Sequence, residues 1–216
     1  MSKRFFGVII VIIIIFVGVF ALGNQKNNST SKPTEHIEGL GKDGVSLVEY
    51  GDYECPYCGQ YYSIVKQVVQ EYNNQITFQF RNFPLTSIHP HAYVGARAAE
   101  AAALQNKFWQ MHDLLYEQNV IYTDSNETAS TWINTSNPLT DFDQYAKQLG
   151  LNVSKFNQDY NSDQVNNSIS ADLNAGNALG IDATPTFYLD GKQISPGETV
   201  SAFQTLINQA IAQKSH

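Results

Sequence analysis

The chain is short of cysteine: its 216 residues contain two, Cys55 and Cys58. A structural staple between positions so close would close a tiny loop and restrict the unfolded chain very little. Metal ligands to complete a zinc site with them are also scarce. Only five histidines exist, His36, His89, His91, His112 and His216, and His89-Pro90-His91 lacks finger-like spacing. Positive charge is sparse: 13 Lys and Arg stand against 20 Asp and Glu, giving a net charge of −7 and a pI near 5.1. That balance argues against a nucleic-acid partner. No cysteine lies near the end of the N-terminal apolar stretch, so lipoprotein anchoring is excluded. What is present suffices for one globular core of ordinary size, with 43% hydrophobic and 12% aromatic residues.

The cysteines sit in Glu54-Cys55-Pro56-Tyr57-Cys58-Gly59, at the seam between two periodicities. Val45–Tyr50 alternates as a strand, with Val45, Leu47 and Glu49 on one side. After Cys58, Tyr61, Ile64, Val65, Val68, Val69 and Tyr72 recur at helical spacing. A strand, turn and helix therefore place Cys55 at the first helical turn, where unpartnered amides and the helix dipole favour thiolate over thiol. Pro56 fits that turn because its missing N–H costs nothing there. Two thiols at this spacing can close a disulfide, one of them as an activated nucleophile. A redox pair is the favoured reading; a metal half-site and a chemically idle pair stay open from the residues alone.

Lys3 and Arg4 precede Phe5–Leu22, an uncharged run able to cross a bilayer as a helix. The basic pair would keep the start cytoplasmic and place everything after Gly23 outside. A cleaved signal peptide is the alternative, since Ala21-Leu22-Gly23 resembles a small-x-small site. Asn24–Lys42 reads as a flexible tether with almost nothing to bury. A folded domain is expected over 43–216.

Within it, Ile76–Phe80 alternates as a second strand, expected to run parallel to the first because a helix connects them. Ala92–Gln105 carries seven alanines and predicts a closely packed helix, with His89 and His91 at its start and no metal expected there. Asn106 is expected to cap the next helix, whose Phe108 and Trp109 read as core. Asn119–Asn137 is poorly periodic, anchored by Trp132 and Ile133. Three further helices follow, the first closed by Gly150 and the third by Gly180. Thr186–Leu189, an Asp190-Gly191 turn and Lys192–Ile194 predict a hairpin, and a final helix follows Thr199.

Glu49 to Cys58 reads E-Y-G-D-Y-E-C-P-Y-C, and Gly180 to Tyr188 reads G-I-D-A-T-P-T-F-Y. With the helical stretch between them, these motifs resemble the DsbA family of thiol–disulfide oxidoreductases, and in particular its membrane-anchored bacterial members. The resemblance implies an α/β thioredoxin-like fold with a helical insertion over about 86–180. The insertion would separate a βαβ half from a C-terminal ββα half, behind an N-terminal transmembrane helix. It implies that Cys55 is the exposed nucleophile, Cys58 the buried resolving thiol, and Pro185 part of a cis-proline loop facing them. Thr184 backbone groups would then be free to pair with an extended client. Glu49, six residues before Cys55, matches the family's acid behind the pair, and burial would raise its pKa so that it exchanges a proton with Cys58. Asp52 and Glu54 are expected at the surface.

Pro56-Tyr57 departs from the Pro-His of the family's strong oxidants and matches glutaredoxins. The expected activity is disulfide donation to folding secreted proteins, without a cofactor beyond the Cys55–Cys58 disulfide. Reoxidation would come from a membrane partner, DsbB-like or a vitamin K epoxide reductase homologue. A reductase or isomerase, and a non-catalytic chaperone-like peptide-binding module, are the alternatives.

Overall fold

The computed structural model describes residues 32–119 and 132–214. The expected membrane segment 5–22 and the first part of the tether, 24–31, lie outside them. Among the described residues no helix is long and apolar enough to cross a membrane. Five strands form one mixed sheet: β1 (His36–Glu38), β2 (Val45–Gly51), β3 (Ile76–Asn82), β4 (Thr186–Leu189) and β5 (Lys192–Ile194), in the order β1-β3-β2-β4-β5. β2 and β3 are parallel, Val45 opposite Ile76 and Glu49 opposite Phe80. Every other neighbouring pair is antiparallel.

The parallel pair is joined through α1 (Pro56–Glu71), which begins at a proline and buries Cys58, Val65, Val68 and Val69. The far end of the sheet closes with the β4–β5 hairpin. Asp190 and Gly191 both take positive φ there, 49° and 78°, as a two-residue turn matching the strand twist requires. Helix α7 (Val200–Lys214) returns across the sheet and packs Phe203 and Ile207 into the core with α1. Val45 and Leu47 belong to that core, whereas Val48 and Tyr50 face a smaller cluster with Phe83, Leu173, Ile181 and Tyr188 on the opposite side. Alternation along β2 thus supplies both faces of the layered structure.

Between β3 and β4 stand α2 (Ala92–Ala103), α3 (Phe108–Glu117), α4 (Pro138–Gln148), α5 (Val153–Tyr160) and α6 (Asp163–Ala178). Their starts are set locally: Asn152 accepts from Lys155 N–H and Ser162 from Val165 N–H. The alanines of α2 let its neighbours approach closely. A Cβ on Gly95 would lie 2.8 Å from Trp132, whose indole N–H is tied to the Leu115 carbonyl.

Two expectations are corrected. Asn106 does not cap α3; it occupies a left-handed turn position (φ 59°), and Lys107 stands at the helix start. The described part of the expected tether includes an edge strand, β1, paired with β3. Thr34 beside it donates to Asp172 through both its amide and its hydroxyl, and His36 Nε2 lies 2.8 Å from Glu100. Those partners come from α6 and α2, more than sixty residues away, so local composition carries no sign of them.

Candidate active site: a dithiol of opposed acidity

Cys55 immediately precedes α1, in extended conformation (φ −68°, ψ 123°), with Pro56 opening the helix. The thiol therefore sits where the first helical amides point. The Thr184–Pro185 peptide is cis, and the Cys55 thiol donates to the Thr184 carbonyl over 3.3 Å. Thr184, 129 residues downstream and bonded to Pro185 through the cis peptide, is thus brought against Cys55. Cys55 is not the exposed group expected: it is 3% accessible, covered by that loop. The Thr184 carbonyl is correspondingly engaged rather than free. Tyr57, between the cysteines, is the exposed member of the motif at 61%.

The two sulfurs differ sharply. Cys55 is brought down to about 6, chiefly by the Cys58 thiol hydrogen-bonded to it, with the Thr184 side chain and the amides of Cys58 and Tyr57 adding to the effect against burial. Cys58 is fully buried, and desolvation drives its thiol well above the usual range. The helix tip thus contributes, but the second thiol contributes more. Both are free thiols in the structure.

Glu49 lies in β2 behind the pair, 3% exposed, and is pushed up to about 8 by desolvation first and by Cys55 second. Among the described residues its carboxyl has no hydrogen-bond partner. It borders a cavity of about 320 Å3 shared with His112, Tyr116 and Lys66. Among the described residues the Tyr116 hydroxyl, too, is buried without a partner. His112 is held neutral, down to about 3 through desolvation, and its Nδ1 lies 3.1 Å from the Tyr53 hydroxyl. A polar cavity of this size has room for several waters. On the outer side, a groove of about 290 Å3 runs along Tyr57, Tyr61, Thr184, Pro185 and Phe187 to Glu198.

Asp52 and Glu54 are not surface residues. Asp52 is 1% exposed and its backbone N–H donates to Cys58 Sγ over 3.4 Å. Glu54 is partly buried and accepts from the His91 amide at the start of α2. Their placement went unread because the residues that cover them arrive from the insertion. Tyr53, His112 and Tyr116 were also missed as neighbours of the site. Only His112 left a trace, standing four residues after Phe108 on the apolar stripe of α3. Among the described residues no group of three or more His, Cys, Asp or Glu could hold a metal ion.

Fold and site together define a protein of the thioredoxin-like class, with a helical insertion in its sheet and a Cys-x-x-Cys pair at the start of its first helix. More particularly, the chain belongs to the thioredoxin family: the family model described as Thioredoxin matches residues 31–209. The chain is similar to the Na(+)/H(+) antiporter NhaA 3 of Salinispora tropica, 32% identical over 178 residues that cover 82% of this chain and 25% of the antiporter. It therefore spans about a quarter of the length of the curated relatives it matches. In fold it is similar to oxidised BdbD from Bacillus subtilis (TM-score 0.67, 20% identity, covering 84% of this chain and 96% of that one). It is likewise similar to MdbA, a thiol-disulfide oxidoreductase from Actinomyces oris (TM-score 0.62, 17% identity, covering 80% and 86%).

Proposed function

We propose that the chain is an exported dithiol oxidase, tethered to the membrane through residues 5–22, that donates the Cys55–Cys58 disulfide to cysteines of secreted proteins. The observation that carries this is the opposed acidity of two sulfurs in contact. Cys55, down near 6, is a stable thiolate and a good leaving group; Cys58, raised by burial, is neither. A client thiolate attacks Cys55 Sγ; the Cys55–Cys58 bond breaks and Cys58 departs as thiolate. Glu49, protonated below about 8, gives that thiolate its proton. A second client thiolate then attacks the client sulfur of the mixed disulfide and expels Cys55 as thiolate. The client loses two electrons and the pair gains two. The spent Glu49 carboxylate is reprotonated from the adjoining cavity.

The outer groove suits an extended client segment, with Tyr57, Tyr61 and Phe187 as apolar walls. Since the chain has no third cysteine, reoxidation falls to a membrane oxidase, DsbB-like or a vitamin K epoxide reductase homologue. Secretion past the membrane rests on the Lys3-Arg4 and apolar pattern, with cleavage near Gly23 as its alternative.

Alkylation of reduced Cys55 is expected to titrate with a midpoint near 6. A midpoint near that of an ordinary thiol, about 8.5, sinks the proposal. Equilibration with glutathione should give a potential between roughly −230 and −120 mV, the glutaredoxin and DsbA values, as suits Pro56-Tyr57 between the cysteines; about −270 mV, the thioredoxin value, would instead favour reductase or isomerase work. Cys55→Ser should abolish oxidation of a reduced ribonuclease; client protection that survives unchanged, in a wild type lacking oxidase activity, would mark a chaperone-like module.

A further inference from the structure

Asp52 is the most heavily tied residue of the cysteine turn. Its Oδ1 accepts from the Glu54 amide at 2.9 Å, and its carbonyl accepts from the Cys55 amide at 3.1 Å. These two bonds close the turn on itself. Its Oδ2 accepts from the Leu85 amide at 2.9 Å and lies 2.7 Å from His89 Nδ1. A carboxylate only accepts, so the imidazole Nδ1 carries the shared hydrogen. The remaining group, the Asp52 backbone N–H, is left to donate to Cys58 Sγ. A buried carboxyl that lost its outer donors would be left desolvated, and the turn that it closes through Glu54 and Cys55 would shift toward whatever donors remain.

The other end of this tie is stiff. His89 and Ile88 both donate their amides to the Leu85 carbonyl, and Ala92 N–H reaches back to the His89 carbonyl where α2 begins. Two residues on, the His91 amide donates to Glu54 Oε2 at 2.5 Å. Both acids of the cysteine turn are therefore gripped by His89-Pro90-His91, the segment that launches the insertion.

We propose that His89 is a positioning residue for Cys58: it holds the Asp52 carboxyl so that the Asp52 backbone N–H is presented to the Cys58 sulfur. Cys58 is the group that must leave, and later attack, as a thiolate inside the protein. The Asp52 amide is the backbone donor aimed at that sulfur, so holding it in place stabilises the charge where it forms. Cys55 draws on other donors, the Cys58 thiol and the first helical amides, and depends less on this tie. The inference rests on the dithiol reading above and assigns the insertion a part in the chemistry: it supplies the outer anchor of the resolving cysteine.

The test separates the two cysteines. Reduced protein is converted to a Cys55–glutathione mixed disulfide, and the Cys58-dependent release of glutathione is followed by stopped flow; alkylation of Cys55 is measured in parallel. Wild type is assayed first, because absence of Cys58-dependent release there refutes the dithiol reading whatever His89 does. His89→Ala is expected to slow release about tenfold, with Cys55 alkylation changed less than twofold. His89→Asn, which restores an N–H near the same place, should recover release to within threefold of wild type at a thermal midpoint no higher than that of His89→Ala. Unchanged release in folded His89→Ala overturns the proposal. So does equal loss in both variants, or a parallel fall in alkylation. Should His89→Ala fail to fold, His89→Asn and His89→Phe carry the same comparison.

Discussion

Glu49 shows how much a single buried side chain can decide. Its carboxyl is raised to about 8, first by desolvation, so the folded chain holds this proton where the unfolded chain, near 4.3, has released it. Its contribution to stability is therefore complete below about 4.3 and is lost as pH rises through about 8. In the oxidised protein neither sulfur is charged, leaving Glu49 as the titrating group of the dithiol site. Oxidised wild type, in which the Cys55 charge no longer adds to that rise, should still lose stability between pH 5 and 7.5, by at most about 1.4 kcal/mol per pH unit from this group. Glu49→Gln should remove that component, which urea unfolding of the two proteins at both pH values will read; parallel curves would show the acid to be solvated. The burial behind this was legible in part, because Glu49 shares a strand side with Val45 and Leu47. The lack of a hydrogen-bond partner was not.

At the scale of elements, α1 and β2 follow from periodicity, and the Asp190-Gly191 hairpin follows from turn chemistry. The alanine-rich α2 illustrates a feature that composition announces without locating its partner. Gly95 on that helix faces Trp132, and a methyl there would stand 2.8 Å from the ring and 3.3 Å from Tyr53 Cβ. Trp132 is fully buried and tied through its indole N–H, so it has little room to yield. Gly95→Ala gains about 1 kcal/mol of helix propensity. Overpacking, typically about 1–3 kcal/mol, works against it. A net destabilisation of roughly 1 kcal/mol is expected in urea titrations; a stabilised variant would mean that the ring moves freely. β1 was misread at this scale because its partners lie far away in sequence, and Asn106 because it turns back on the end of α2 through its amide to the Ala103 carbonyl.

For the whole molecule, Asp172 of α6 binds the edge of the sheet to the insertion. It is completely buried, raised to about 6 mainly by desolvation, and accepts from Thr34 twice and from the Asn82 amide. Asp172→Ala would strand these donors, at roughly 1–3 kcal/mol for each one left buried. Amides of β1 and the adjoining residues of β3 should lose hydrogen-exchange protection by at least tenfold, while those pairing β2 with β4 keep theirs. Uniform loss across the sheet would mean that Asp172 supports the core as a whole, and no change would mean that β1 is held by its ladder alone.

The chain's own order of residues determined strands β2 to β5, the helices, the spacing that makes Cys55 a helix-tip thiol, and the motif pair that marks its family. Those are short-range properties, written in side-chain alternation, turn residues and a proline at a helix start. Folding alone decided that Thr184 covers Cys55, that Asp52 and Glu54 are enclosed, and that the insertion grips the cysteine turn through His89 and His91. Each of those contacts joins residues more than thirty positions apart, and burial and hydrogen bonding across such separations arise only once the layers have closed on one another.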